Sequence, residues 1–452
     1  MLEGDRFRGE VRALDEAGSG IVEVADGAEA VLIHVAGALP SERISGHVTY
    51  RSVHATGGRR EAWGVLENID ERSPDRVAPV CPVQGSCGGC ALMHLGYSAQ
   101  LAWKQSRVRV EFAKHPALAA VDVEACVPSS LAVGYRNQAK YVYTRSLDGG
   151  GVLGAYAPRS HAVVDLAGCR VVEPILDQAR GVLLNLLRAH EVEPYHEINR
   201  TGLLRYVVLR ANAAGRVLAT LVSARAQWSG ADAVASACMS EFPAFVGVVL
   251  NVNSSGGNAL FGEDERVLAG QASFEDEIGD VRVRLASRSF FQANRAVASR
   301  IYRDLVARLP GDLGRAVDAY SGAAGIALSL ASRAREVIAI EQNAAATAAA
   351  SESKGERVQI ITGDAAQGLS SMDAADLVVL NPPRKGCTAE VLAQVLRMTP
   401  RLVAYLSCDP RSLAHDIGVL VKAGATITSV VPYDMMPHTP HVETLVVLSL
   451  RG

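Results

Sequence analysis

The sequence predicts a multidomain chain: a small N-terminal β-barrel, a central β-rich domain with a cysteine cluster, and a C-terminal α/β domain on a parallel sheet. Three observations predict it. At 452 residues the chain exceeds one ordinary domain of about 150 residues. Near residue 275 the short apolar runs stop being separated by turns and become separated by helix-like stretches, the mark of a parallel sheet covered on both faces. Three of the eight cysteines, at 81, 87 and 90, fall within ten residues. The expected boundaries are 1–72, 73–275 and 276–452.

Taken in order, Phe7–Leu14, Gly20–Val24, Ala30–Val35, Val48–Val53 and Trp63–Ile69 read as five strands with turn signals between them. That count in so short a span suggests a barrel of the oligonucleotide-binding kind. A Pro-bearing linker at 73–80 leads into the cysteines, and Leu95–His115 reads as a helix that packs on the C-terminal domain. The middle is rich in strands (Lys140–Thr144, Tyr206–Ala211, Val217–Val222, Gly247–Asn253) with one helix at Ile175–Arg188. Five apolar runs follow, at Ala316–Tyr320, Glu336–Ile340, Val358–Thr362, Leu377–Leu380 and Leu402–Ser407, with helices at Gly325–Arg335 and Thr388–Met398 among them. Thr426–Pro432 and Val442–Leu450 have no helix between them, which predicts an antiparallel end to the sheet.

A hydrophobic fraction of 49% and a charged fraction of 21% exclude a disordered or coiled-coil chain. No apolar run reaches the roughly 18 residues that span a bilayer, and Met1-Leu2-Glu3-Gly4-Asp5 is no export leader. The expectation is a cytoplasmic protein without a membrane partner, whose cysteines are ligands, catalytic groups or packing rather than disulfides. Net charge is −3, yet residues 134–225 carry twelve Lys and Arg against seven Asp and Glu. Residues 51–115 are also net positive, at +3.

Asp318-Ala-Tyr-Ser-Gly-Ala-Ala-Gly325 follows a strand and opens a helix, so a ligand can approach its backbone. Glu341 ends the next strand, where an acid can bond a ribose; Gly363-Asp364 ends the third and Asn381-Pro382-Pro383 the fourth. These strand ends converge on one crevice. Cys408, in Ser407-Cys-Asp-Pro410, ends a strand facing the same crevice, where a following helix N-terminus favours a thiolate. Glu443, in His438-Thr-Pro-His-Val-Glu443, is placed to act as a general base. Cys81, Cys87, Cys90 and the distant Cys169 make four thiolates, the number needed for zinc or for an iron–sulfur cluster, and spacing leaves both open.

The strand-end ladder resembles class I (Rossmann-like) S-adenosylmethionine methyltransferases. With Ser289-Phe-Phe-Gln-Ala-Asn294, Asn381-Pro-Pro-Arg-Lys-Gly386, Ser407-Cys-Asp-Pro410 and His438-Thr-Pro-His-Val-Glu443, the chain resembles the RNA 5-methyluridine (uracil-C5) methyltransferases, in particular those of 23S ribosomal RNA. The resemblance implies Cys408 as nucleophile, Glu443 as base, and Gln292, Tyr320, Gly325, Glu341, Asp364 and Asn381 around S-adenosylmethionine. It also implies a [4Fe–4S] cluster on the four cysteines and an N-terminal TRAM domain. The partner it implies is RNA, ribosomal rather than transfer RNA, bound by a monomer. Candidate RNA contacts are Arg51, Arg59, Arg60 and Trp63 in the barrel, then Arg136, Lys140 and Arg145, with Gln138 and Phe290 beside an opened loop. Three positions depart from the family pattern: Asn381 for Asp, Ala324 for Gly and Ser321 for Cys. Two rival readings are an amino-group methyltransferase using Asn381-Pro-Pro and a non-catalytic RNA-binding pseudo-enzyme.

Overall fold

A computed structural model describes residues 3–26, 29–56, 59–146, 149–257 and 259–450. Alternating buried and exposed side chains shape the first part. β1 (Arg6–Leu14), β2 (Gly20–Asp26), β3 (Glu29–Val35), β4 (Arg43–Thr56) and β5 (Arg59–Glu71) close into a barrel of order β1-β2-β3-β5-β4. Phe7, Val22, Ile33, Ile44 and Ala62 fill its interior. Gly46 and Gly64 let Phe7 in, because a Cβ on either would meet its ring at 3.0 Å or less.

The expected helix is α1 (Tyr97–Ala113), and it does pack on the C-terminal sheet: Val108 and Phe112 share a core with Val317, Tyr405 and Ile417. The middle sheet comprises β6 (Gln138–Arg145), β7 (Gly151–Tyr156), β8 (Val163–Asp165), β9 (Leu204–Ala211), β10 (Val217–Ser223), β11 (Phe245–Val252) and β12 (Asp264–Gly270), in the order β12-β11-β10-β9-β6-β7-β8. α2 (Pro174–Ala189) and α3 (Ala231–Glu241) bury Leu183, Leu187, Val234 and Cys238 against one face of it. The hairpin β13 (Ser273–Ile278) and β14 (Val281–Ala286) and helix α4 (Arg295–Ala307) then lead to the last sheet.

That sheet contains β15 (Leu313–Ala319), β16 (Ala334–Glu341), β17 (Val358–Thr362), β18 (Leu377–Leu380), β19 (Leu402–Ser407), β20 (Thr426–Tyr433) and β21 (Glu443–Ser449). Its order is β17-β16-β15-β18-β19-β21-β20. The first five strands are parallel and β21 is antiparallel to both its neighbours, as the missing helix predicts. Helices α5 (Gly325–Leu330), α6 (Ala344–Ser353), α7 (Ala365–Ser370), α8 (Ala389–Met398) and α9 (Pro410–Lys422) supply the crossovers. Strand order reverses at β15, which opens a crevice above the carboxyl ends of β15 and β18. Among the described residues no helix is long and apolar enough to cross a membrane.

Candidate active site

The turn after β15 is tight: Tyr320, Gly322 and Ala324 all have positive φ, and Ala324 is the N-cap of α5 in the left-handed region. Alanine there carries a cost of about 1 kcal/mol that glycine would not. The turn lines a narrow cavity together with Phe290, Gln292, Tyr302, Gly325 and Asn381. Four of the six expected donor residues, Gln292, Tyr320, Gly325 and Asn381, therefore meet there. Glu341 stands at its rim and spends its carboxylate on the chain, accepting from Gly322 N at 2.9 Å and Asn343 N at 2.8 Å. Asp364 does not line the cavity. Its Oδ1 caps α7 by accepting from Ala366 N and Gln367 N, so that oxygen holds a helix end.

Two buried polar atoms beside the turn have no protein partner among the described residues: Ser321 Oγ and Asp318 Oδ1. Asp318 Oδ2 accepts from Ala327 N at 2.9 Å, and burial pushes the carboxyl up to about 7. Unpaired buried acceptors and donors call for a polar ligand. Asp318 was not among the expected contacts, although an acid one residue before the end of β15 was a usable signal.

Cys408 and Glu443 come together through strand register. Ser407 pairs with Thr444 at the end of the β19–β21 ladder, so Cys408 and Glu443 leave neighbouring strands side by side. Glu443 is 6% exposed, and burial alone pushes its carboxyl up to about 8. The Cys408 thiol is also pushed up, first by burial and then by the Glu443 charge, with Arg384 pulling it back. At the α9 N-terminus the Asp409 side chain accepts from Arg411 N at 3.0 Å and Ser412 N at 2.9 Å, and Arg384 is the cation that lowers the thiol. Arg384 also lies 3.1 Å from His441 Nδ1, and burial pushes His441 down to about 4, so its neutral ring accepts this bond.

The loop before Glu443 is clamped by groups the sequence reading passed over. Lys104 and Asp434 form an ion pair with both side chains fully buried, and Lys104 Nζ donates to Met436 O at 3.1 Å. Gln100 Oε1 accepts from His438 N at 2.9 Å, and Leu92 N donates to His438 O at 2.9 Å. Tyr135 Oη donates to Pro437 O at 3.0 Å.

Cys81, Cys87, Cys90 and Cys169 line one cavity of about 160 Å³, beside Tyr135 and Arg136. Burial pushes the Cys90 thiol up to about 12, and negative charge on the other three cysteines adds to the rise. Four thiolates there need a positive counter-charge. Among the described residues, no three His, Cys, Asp or Glu side chains are grouped for a single metal ion.

The basic candidates divide. Arg51 pairs with Asp26 at 3.3 Å, and Trp63 stacks on His34 at 5.1 Å and meets Tyr50 at 5.6 Å, so its ring is already engaged. Arg59, Lys140 and Arg145 are exposed, as is Phe290 at the crevice. Arg136 and Arg384 together line an open groove of about 690 Å³ that Glu16 of the barrel, Gly88, Gly89 and His441 also border.

The sequence profile of the family tRNA (Uracil-5-)-methyltransferase matches residues 274–451, which contain the crevice, Cys408 and Glu443. An uncharacterized RNA methyltransferase of Geobacter sulfurreducens is 35% identical, over 98% of this chain and 90% of its own length. A second, from Halalkalibacterium halodurans, is 32% identical over 98% and 96%. This chain belongs to the RNA uracil-5-methyltransferase family. Among solved structures, the tRNA (uracil-54, C5)-methyltransferase of Pyrococcus abyssi, in complex with S-adenosyl-L-homocysteine, aligns with a TM-score of 0.76 and 24% identity. The alignment covers 98% of this chain and 99% of that one, so the fold of this family member is shared from barrel to last strand.

Proposed function

We propose that the chain methylates C5 of a uridine in RNA, with Cys408 as nucleophile and Glu443 as base. The observation that carries this reading is the pairing of Cys408 with Glu443 at one sheet end, beside a cavity with unpaired polar atoms. Uracil C5 is a weak nucleophile. Addition of the Cys408 sulfur to C6 pushes an electron pair onto C5 and makes that carbon able to take a methyl group. Glu443 then removes the C5 proton, the C5–C6 double bond re-forms, and the C6–S bond breaks to return the thiolate. A base with its carboxyl raised to about 8 is matched to a proton transfer near neutral pH. Arg384, the cation that lowers the thiol, favours the attacking form.

Gln292, Tyr320, Gly325 and Asn381 are the residues that hold S-adenosylmethionine in this reading, with Glu341 at the rim and Asp364 outside the cavity lining; bound there, it supplies the methyl group. The orphaned Ser321 Oγ and Asp318 Oδ1 fit such a polar ligand. Asn381 in place of the family's Asp keeps an acceptor and adds a donor. The four cysteines line one cavity and so offer the donor set of the [4Fe–4S] cluster that the resemblance implies, whose positive charge would relieve their mutual repulsion. In this reading the cluster braces the loop that carries Leu92 and, through it, His438.

Ribosomal RNA is the proposed substrate class. The barrel alone does not choose it, since the Pyrococcus tRNA enzyme shares the architecture along nearly the whole chain. Two experiments test the reading. RNA carrying 5-fluorouridine, incubated with enzyme and methyl donor, should give a covalent adduct on a denaturing gel, and Cys408→Ala should give none. Mass spectrometry of 5-methyluridine in ribosomal and transfer RNA from a deletion strain should show the loss in the ribosomal fraction. An adduct that persists in Cys408→Ala would remove the mechanism. The amino-group reading has no use for the Cys408–Glu443 pair, and a pseudo-enzyme would give no adduct.

A further inference from the structure

The basic stretch 134–225 is not used up by the site described above. α2 and α3 cover one face of the central sheet; strand alternation places Gln138, Lys140, Val142 and Thr144 of β6 on the other. Val142 pairs with Tyr206 on β9 and with Gly154 on β7, so Tyr206 and Tyr156 share that face. At its far end lies an open pocket of about 560 Å³ lined by Tyr156, His161, Tyr195, His196, Glu197 and Tyr206.

The pocket is built rather than incidental. The Arg205 guanidinium lies 5.0 Å from the Tyr195 ring centre and 5.5 Å from that of Tyr206, and it bonds Glu197 at 3.0 Å through both carboxylate oxygens. Tyr206 Oη donates to Glu197 Oε1 at 3.1 Å. The pair fixes both tyrosines and neutralises the one carboxylate in the lining. Above it, the loop between Tyr195 and Thr201 holds Ile198 80% exposed, and Arg200 packs on the pocket residue Gly256, 3.2 Å from where a Cβ would sit.

The other end of the same strand pair reaches the catalytic crevice. Gln138 pairs with Arg210, which donates to Ser289 O at 2.6 Å, three residues before Gln292. Four residues of strand, about 13 Å, separate Gln138 from Val142. Exposed Lys140 lies between them, on the same face of β6.

We propose that this aromatic pocket is a second nucleotide subsite, which takes a base of single-stranded RNA several nucleotides from the target uridine while Lys140 holds a phosphate between. It rests on RNA being the substrate and adds where the strand runs. Fixed aromatic rings beside a cationic track are the features that bind single strands without strict sequence preference.

The test uses the full-length protein and fluorescein-labelled oligouridylates of about 6 and about 20 nucleotides. Tyr195→Ala should weaken the long RNA about tenfold, within the range of one lost base stack, and leave the short RNA unchanged. Tyr195→Phe should bind both like the native protein. Equal effects of Tyr195→Ala on both lengths, or none on either, overturn the proposal. Photo-crosslinking of the native protein to a long 4-thiouridine RNA should label a peptide within residues 195–206, and its absence would also overturn it. The 5-fluorouridine adduct at Cys408 is read separately. Loss of the adduct with retained length dependence would strike the catalytic reading and spare the subsite.

Discussion

Replacing Glu443 by glutamine separates the two consequences of burying a carboxylate. Burial raises its carboxyl from 4.5 to about 8. Between those values the folded protein keeps a proton that the unfolded chain has released, so stability falls as pH rises through this window. One pH unit within it is worth about 1.4 kcal/mol. Allowing for partial titration near pH 8, the loss between pH 6 and pH 8 is about 2 kcal/mol. Glu443→Gln has no proton to lose, so it should be less sensitive than the native protein by that amount. Asp318, raised to about 7 by its own burial, stays in both proteins and cancels from the difference. The assay is urea denaturation followed by circular dichroism at the two pH values. On the chemical side, native turnover should rise with pH as Glu443 ionises. Glu443→Gln should accumulate the RNA adduct with ordinary uridine, because the C5 proton has no acceptor. Parallel pH dependence of stability in the two proteins, or native turnover by the variant, would refute the assignment of Glu443 as a buried base.

Other expectations follow from neighbouring groups. Arg384→Ala should slow adduct formation at neutral pH and move its pH profile upward, since the cation that lowers the Cys408 thiol is gone; a stopped-flow profile checks it. Lys104→Ala should cost about 3–5 kcal/mol by leaving Asp434 buried without its partner, and Lys104→Ala/Asp434→Asn should recover part of that in the same denaturation assay. Cys87→Ser should lower visible absorption from the proposed cluster, folded yield and RNA affinity together; full RNA affinity and turnover without the cluster would remove its structural role.

What could be read from the sequence depended on which face of each element is buried. β17, β18 and β19 fall at the predicted residues, 358–362, 377–380 and 402–407, because apolar runs bounded by turn residues mark such strands directly. The hairpin β13–β14 was not read, although Val281, Val283 and Leu285 alternate with Arg282 and Arg284 as a half-buried strand does; in β13 the buried Asp276 takes the slot between Phe274 and Ile278 and breaks the apolar pattern. α5 stops at Leu330, short of the expected Arg335, because the chain re-enters a strand at Ala334. In the site, spacing brought out Cys408 and Glu443, but not how far burial raises both. The Lys104–Asp434 clamp joins residues 330 positions apart, a contact that no local pattern encodes.

Helix α1 lies outside the segment that the family profile matches, yet it seals one side of the last sheet with Val108 and Phe112. Glu124 N donates to Val430 O and Val127 N to Pro432 O, so a neighbouring stretch also borders β20. The recognisable catalytic unit is thus not an autonomous one. Residues 274–452 expressed by themselves would leave an apolar wall wet and the loop before Glu443 untethered. Dissection of this enzyme has to carry the upstream helix along with the methyltransferase half.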